Sequence, residues 1–291
     1  SITPFGQSGP YRDYKASDIV VWALGGHLYQ GDADRPPVGV SEHTQSYLHA
    51  GAEAAAAALM ALYYRRLTGE GQQISVSIQE CVAGLNVPST AWWAQKKAFA
   101  ASRDGERVNQ AGNVLRPKLI WACKDGWISC QIAGGPLALR ITLPLMKWMS
   151  DEGMLDDFLK TFDWVAHSFD TTTQEVIDRF NEPISRFFQS HTRAELLEGA
   201  IKRGVMLYPI GTIADIANNS QLASRNFWVT IEHLEMGATI TYPGTFIKSS
   251  EVPPRIQRRA PLIGEHNQEI YERELGISKA ELIILSEAGV I

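Results

Sequence analysis

The sequence contains few cysteines and no long apolar run. Its three cysteines, Cys81, Cys123 and Cys130, lack the Cys-x-x-Cys spacing of a zinc site or a redox pair. We therefore expect reduced thiols, a cytoplasmic location and no bound metal. No apolar stretch approaches the ~18 residues that a membrane span needs, and the first residues do not resemble a secretory signal.

An excess of positive charge is also missing. The 27 lysines and arginines are outnumbered by 32 aspartates and glutamates, which gives the 291-residue chain a formal net charge of -5. We therefore expect no binding to nucleic acid or to a membrane surface. The motifs of several enzyme classes are absent too, because the sequence has no Gly-x-Ser-x-Gly elbow, no His-Glu-x-x-His helix and no P-loop.

A helix, a glycine turn and a strand are predicted in succession over residues 50–79. The alanine-rich residues 50–66 favour a helix, and Arg65 and Arg66 suit its negative end. Gly69 and Gly71 fit an exit turn, and the alternation of apolar and polar residues over 72–79 predicts a half-buried strand. By itself this turn is more typical of a helix C-cap than of a phosphate loop, which lies between a strand and a following helix.

The rest of the chain is predicted to combine short strands with helices. Two apolar runs flanking residues 124–126 predict a hairpin. Helical spacing predicts helices over 137–149, 156–162, 173–190 and 193–203, with strands at 206–210 and 238–242 and two short helices in 268–291, the second capped by Ser278. We expect a large-domain segment over 1–107, a small α/β domain over 108–245 and a return to the large domain over 246–291.

Ordered blocks that reach both ends of the chain resemble the family III CoA-transferases. The blocks are ITPFGQSGPY at 2–11, ALGG at 23–26, RPPV at 35–38, the helix from Ala50, residues 68–79 and APLIGEHN at 260–267. The group includes carnitine CoA-transferase, formyl-CoA transferase and α-methylacyl-CoA racemase types. The resemblance implies an α/β fold with a large Rossmann-like domain, a smaller α/β domain and an interlocked dimer. The N-terminal part of the large domain is expected to be missing from this sequence or supplied by another polypeptide.

The resemblance also implies CoA transfer between carboxylic acids through a nucleophilic aspartate. The CoA thioester is then a co-substrate, with no metal or redox cofactor. The aspartate position matches Tyr47, or Ser46 if counted one residue earlier, and neither is a carboxylate. A tyrosine, with an ordinary pKa near 10, is a poor acyl acceptor at neutral pH. Glu42 is the substitute nearest in sequence.

Further residues are predicted around that position. We expect CoA contacts from Thr3, Phe5, Gly6 and His49, the last at the start of the alanine-rich helix. A racemase is disfavoured, because the family's histidine and aspartate positions match Ser17 and Ser46.

The glycine-rich loop of the family is a second departure. It matches residues 108–115, where Gly112 is the only glycine. Gly134, Gly135 and Pro136 come after the second strand of the hairpin and predict a turn before a helix.

Three hypotheses follow for the whole protein. We favour a subunit without the nucleophile, in a heteromeric member of the family such as benzylsuccinate CoA-transferase. It would act with a homologous subunit in CoA transfer from a succinyl-CoA type donor to a dicarboxylic or aromatic acid. The first alternative is an active homo-oligomeric transferase that uses a displaced carboxylate such as Glu42. The second is a non-catalytic acyl-CoA binding or regulatory protein.

Overall fold

The computed structural model of the chain describes residues 1–28, 44–86, 94 and 107–291. Backbone contacts divide the chain into two compact units, Ser1–Ile210 and Gly211–Ile291. Each unit is described by itself below. The division into segments 1–107, 108–245 and 246–291 stays a prediction.

The described residues in the first part of the first unit form a small parallel strand pair packed with three helices. These elements are β1 (Ile2–Thr3), α1 (Asp18–Leu24), α2 (Gln45–Thr68), β2 (Val76–Ser77) and α3 (Ile78–Gly84). Ile2 pairs with Val76, and the Pro4 carbonyl accepts from the Gln79 amide at 3.0 Å. Their shared core contains Val21, Ala50, Val76 and Ile78, with Phe5 packed against it.

Helix α2 confirms the predicted alanine-rich helix. It ends at Gly69, whose φ of 81° is left-handed and whose amide donates to the Arg65 carbonyl. In the described structure it buries only Ser46 and Ala50 along its 24 residues. Its large apolar side chains face solvent, among them Leu48, Leu59, Met60, Leu62 and Leu67.

The strand predicted over residues 72–79 is largely wrong. Only Val76 and Ser77 form a strand, and Ile78 already begins α3. The Ser77 hydroxyl accepts from the Glu80 amide, as an N-cap side chain does. A local helix start therefore prevails over the alternating pattern.

The second part of the first unit contains an antiparallel strand pair, a three-stranded antiparallel sheet and five helices. The strands are β3 (Arg107–Val108), β4 (Val114–Leu115), β5 (Ile120–Cys123), β6 (Gly126–Cys130) and β7 (Leu207–Pro209), with sheet order β5-β6-β7. The helices are α4 (Ala138–Ile141), α5 (Leu143–Asp151), α6 (Asp157–Thr161), α7 (Gln174–Gln189) and α8 (Arg193–Arg203). The predicted hairpin is confirmed as β5 and β6.

The helices of this part cover the sheet with apolar side chains. Helix α7 buries Ile177, Phe180, Ile184 and Phe187 at helical spacing. The predicted helix over 137–149 is interrupted at Thr142, whose buried hydroxyl donates to the Ala133 carbonyl at 2.8 Å. Helices α7 and α8 follow their predicted ranges closely.

The second unit is built on one antiparallel hairpin with short helices. It contains α9 (Ile213–Ala217), α10 (Ser220–Ser224), β8 (Trp228–His233), β9 (Ala238–Pro243), a π-helix (Gln268–Glu274) and α11 (Lys279–Glu287). Strand β9 was predicted and β8 was not. Ser278 caps α11 in a capping box with Glu281, as predicted.

A chain of polar side chains joins the hairpin of the second unit to residues 259–265. The Tyr242 hydroxyl lies 2.9 Å from His233 Nε2, and His233 Nδ1 lies 2.9 Å from Glu235 Oε1. Arg259 then bridges Glu235, at 3.0 Å, and Glu265, at 2.8 Å. The hydrogen bond from Arg259 holds the pKa of Glu265 below its ordinary value.

The described residues show a mixed α/β fold with small sheets. The large Rossmann-like domain and the interlocked dimer stay predictions. Within the described ranges, no helix combines the length and the apolar character needed to cross a membrane.

Candidate active site

The position predicted for the nucleophile lies in the first turn of α2, and Ser46 is fully buried there. Its amide and its hydroxyl both donate to Asp18 Oδ1, at 2.9 and 2.5 Å. Thr44, the N-cap residue of α2, makes no side-chain capping bond. Asp18 therefore caps α2 from the first turn of α1, and its negative charge lies where the dipoles of both helices favour it.

Sequence reasoning missed the role of Asp18. The residue is 28 positions from Ser46, and only the packing of α1 beside α2 brings the two together. The sequence does show a carboxylate directly after Ser17, at the start of α1. Such a residue predicts stabilisation of its own helix and does not predict that it caps a second helix. This arrangement gives Ser46 a structural partner and leaves its hydroxyl without access to solvent.

Tyr47, at the position predicted for the nucleophile, has an exposed side chain. Its exposed fraction is 41%, and its phenol makes no hydrogen bond within the described part of the chain. A neutral phenol without an adjacent base is a weak acyl acceptor. Glu53, further along the same helix, is exposed. Glu42, the predicted substitute, lies outside the described residues.

His49 packs against α1 rather than standing free at the helix start. Its ring meets Trp22 edge-on, with centroids 6.1 Å apart, and His27 contacts the same indole at 4.6 Å. Trp22 is only 4% exposed, so both histidines are held by a buried ring. His27 Nδ1 is buried and has no hydrogen-bond partner in the described structure.

The predicted CoA contacts near the N-terminus lie on the segment that follows β1. Thr3 pairs with Ser77, and its Oγ1 is buried without a partner in the described residues. Phe5 meets Tyr11 edge-on at 5.8 Å, and Tyr11 stacks on Tyr14 at 5.0 Å. Gly6 has a φ of 84°, which a residue with a Cβ rarely adopts. Phe5 and the start of α2 share one core, so the structure brings these two predicted regions together.

The loop that matches the family's glycine-rich segment is fixed by two asparagines. Asn109 Nδ2 donates to the Phe169 carbonyl at 3.2 Å and to the Thr172 carbonyl at 2.8 Å. Asn113 Nδ2 also donates to the Thr172 carbonyl, at 2.9 Å. Gly112, with a φ of 83°, allows the chain to turn between them. Amide side chains therefore tie this loop to residues 169–172.

Gly134 and Gly135 form the predicted turn before a helix. A Cβ on Gly134 would lie 2.4 Å from the His167 carbonyl oxygen, so only glycine fits the contact. Pro136 lies in the 3-10 turn Gly135–Leu137 that leads into α4. Gly134 is therefore required by packing, whereas Gly135 has open space around it and takes a left-handed φ of 66°.

The cysteine and acidic side chains of the described residues form neither a disulfide nor a metal cluster. Cys81, Cys123 and Cys130 are free, and burial raises the pKa of Cys130 to about 12. Residues 1–28, 44–86 and 107–291 contain no group of three or more histidine, cysteine, aspartate or glutamate side chains placed to hold a metal.

The comparison with protein families decides the assignment. The sequence model of the family described as CoA-transferase family III matches residues 1–267. The chain belongs to this family.

Individual relatives agree with the family. The succinyl-CoA:(R)-benzylsuccinate CoA-transferase subunit BbsE of Thauera aromatica is 32% identical, over 100% of this chain and 68% of that protein. The succinyl-CoA–L-malate CoA-transferase beta subunit of Chloroflexus aurantiacus is 27% identical, over 100% of this chain and 68% of its own length.

A solved structure supports the fold. A CAIB/BAIF family protein from Brucella suis superposes with a TM-score of 0.70 at 22% identity, over 94% of this chain and 66% of the other. The chain thus spans about two thirds of the length of the proteins that it matches.

Proposed function

We propose that this chain takes part in CoA transfer between carboxylic acids as the subunit that lacks the nucleophilic aspartate. It acts with a homologous subunit that retains this residue. The observation that carries the proposal is the start of α2, where Ser46 is buried against Asp18 and the Tyr47 phenol has no hydrogen-bond partner among the described residues.

The chemistry explains why a carboxylate is needed at this position. A carboxylate attacks the donor thioester to give a mixed anhydride and releases CoA thiolate. The thiolate then attacks the enzyme-side carbonyl of the anhydride, which forms an enzyme thioester and releases the donor acid as its carboxylate. The acceptor carboxylate attacks the enzyme thioester to form a second anhydride and releases CoA thiolate. The thiolate attacks the acceptor-side carbonyl, which gives the product thioester and releases the enzyme carboxylate as the leaving group. An ester on Ser46 or Tyr47 would lack the reactivity of the anhydride.

The acid substrates are proposed from the relatives. Two relatives carry succinyl-CoA in their names and are described as subunits. We infer a succinyl-CoA type donor and a dicarboxylic or aromatic acid acceptor. CoA is a co-substrate, and the thioester energy is retained without a metal or a redox cofactor.

The CoA contacts are proposed at Thr3, Phe5, Gly6 and His49. Two features support them. The Thr3 hydroxyl, which has no partner among the described residues, can pair with a ligand, and the Phe5 ring lies in an aromatic cluster beside the start of α2. In this proposal the chain supplies one part of the CoA pocket and a scaffold for the interlocked partner.

The test is reconstitution with a homologous subunit that carries aspartate at the position matching Tyr47. CoA transfer from succinyl-CoA to benzylsuccinate would be followed by chromatography of the thioesters. We expect turnover only with both subunits, loss when the partner's aspartate is changed to alanine, and full turnover with Tyr47→Phe. Glu53→Gln, an exposed change on the same helix, is the matched control.

Two outcomes would contradict the proposal. Turnover by the purified protein alone that disappears in Glu42→Gln would assign the reaction to a displaced carboxylate. Saturable acyl-CoA binding without turnover, with or without the partner, would identify a binding or regulatory protein instead.

A further inference from the structure

We propose that a groove between α5 and the last turn of α8 binds an organic phosphate, meaning a multiply charged anion attached to an apolar or aromatic body. The groove encloses about 480 Å³, and its lining residues are Leu139, Leu143, Pro144, Lys147, Asp151, Lys202 and Arg203. Small-molecule sites typically enclose about 300 to 1,000 Å³. None of these residues belongs to the blocks that form the candidate active site, so the inference goes beyond the proposed function.

The charge of the groove favours an anion. Its lining contains three cations and one carboxylate. Lys147 Nζ lies 3.3 Å from Asp151 Oδ1, so these two charges offset each other. Lys202 and Arg203 form no ion pair within the described residues. Two positive charges are therefore available to a ligand.

Arg203 is already held in position. Its guanidinium carbon lies 4.7 Å from the centre of the Trp148 ring, and its NH1 donates to the Gly199 carbonyl at 3.5 Å. Trp148 is 2% exposed and donates from Nε1 to Glu152 at 2.5 Å. A cation fixed against a buried ring loses little side-chain entropy when it binds a ligand.

Glycine makes this arrangement possible. A Cβ on Gly199 would lie 2.2 Å from Trp148 Cζ2, so α8 approaches the indole only without a side chain there. Cations in the last turn of α8 also suit the helix dipole, as in many helices. The helix dipole accounts for cations at the end of α8, but it does not account for the open groove or for the apolar residues that line it.

The apolar residues that line the groove, called its apolar wall below, favour an organic anion over an inorganic one. Leu139, Leu143 and Pro144 also line the groove, and Leu139 is 57% exposed. An inorganic anion leaves this surface in contact with water, whereas a flat or aliphatic body covers it. The groove thus combines charge and apolar area as a nucleotide-sized phosphate requires.

The experiment is a calorimetric titration of the full chain with ADP, inorganic pyrophosphate and adenosine as separate probes. We expect saturable ADP binding that weakens between about 50 and about 300 mM salt. Lys202→Gln should weaken ADP binding about fivefold and Arg203→Gln by more. Lys160→Gln, an exposed lysine on α6 outside the groove, should leave ADP binding unchanged.

Several results would overturn the inference. One is the absence of ADP binding at about 1 mM ligand. Another is equal binding of pyrophosphate and ADP, which would leave the apolar wall without a role. A third is ADP binding lost in Phe5→Ala but retained in Lys202→Gln, which would assign the ligand to the proposed CoA site. Because Lys202 is exposed, its variant tests the groove even if Arg203→Gln fails to fold.

Discussion

Replacing Asp18 by alanine should destabilise the first unit by about 2 to 4 kcal/mol. The change removes the acceptor that caps α2, which is worth about 1 kcal/mol in other helices. It also leaves the fully buried Ser46 hydroxyl without its partner, which adds about 1 to 3 kcal/mol. Asp18→Asn keeps an acceptor oxygen in the same place, so it should cost about 1 kcal/mol.

The measurement is urea unfolding followed by circular dichroism, with the slope of the transition checked for each variant. Ser46→Ala completes a double-mutant cycle, because it removes the hydroxyl and leaves no unsatisfied donor in its place. We expect a coupling energy of about 1 kcal/mol or more between Asp18 and Ser46. Equal effects of Asp18→Ala and Asp18→Asn, or a coupling near zero, would refute the assigned cap.

Three further predictions concern packing, pH and reactivity. Gly199→Ala should lower the free energy of unfolding by about 1 to 3 kcal/mol in thermal or urea denaturation, because its methyl group overlaps the Trp148 ring. Arg259 lowers the pKa of Glu265, so the stability that their pair contributes is present above the ordinary glutamate pKa of 4.5 and is lost as the pH falls through the lower folded value. When the free energy of unfolding is measured as the pH is lowered, Arg259→Gln should lose less stability than the unsubstituted protein. The same dependence on pH in both proteins would contradict the pairing. Cys130, with its pKa near 12, should be the last thiol to react with a disulfide reagent at pH 8, and a fast Cys130 would show that it is accessible.

Local patterns account for most elements that were predicted correctly. Helix α8 combines the capping box of Thr192 and Glu195 with a left-handed Gly204, so its ends are specified by neighbouring residues. Ser278 sets the start of α11 in the same way. The strand predicted over 72–79 is largely wrong because Ser77 caps a helix that begins within this range. The alternation of apolar and polar side chains does not reveal that cap.

Contacts distant in sequence account for what was missed. The vacancy of the nucleophile position stays a prediction, made by counting residues along the chain. The Asp18 cap of α2 and the stacking of Arg203 on Trp148 depend on how two helices approach each other. The spacing of residues within one helix does not predict how that helix packs against another.

The solvent-facing leucines of α2 have a practical consequence for biochemistry. Side chains such as Leu59 and Leu67 are two thirds exposed, on a helix that buries little of its length. A surface of this kind makes an isolated polypeptide prone to self-association and precipitation at the concentrations that assays use. Production of the chain together with the proposed homologous subunit in one host is therefore the safer starting point, with light scattering as the first check on every preparation.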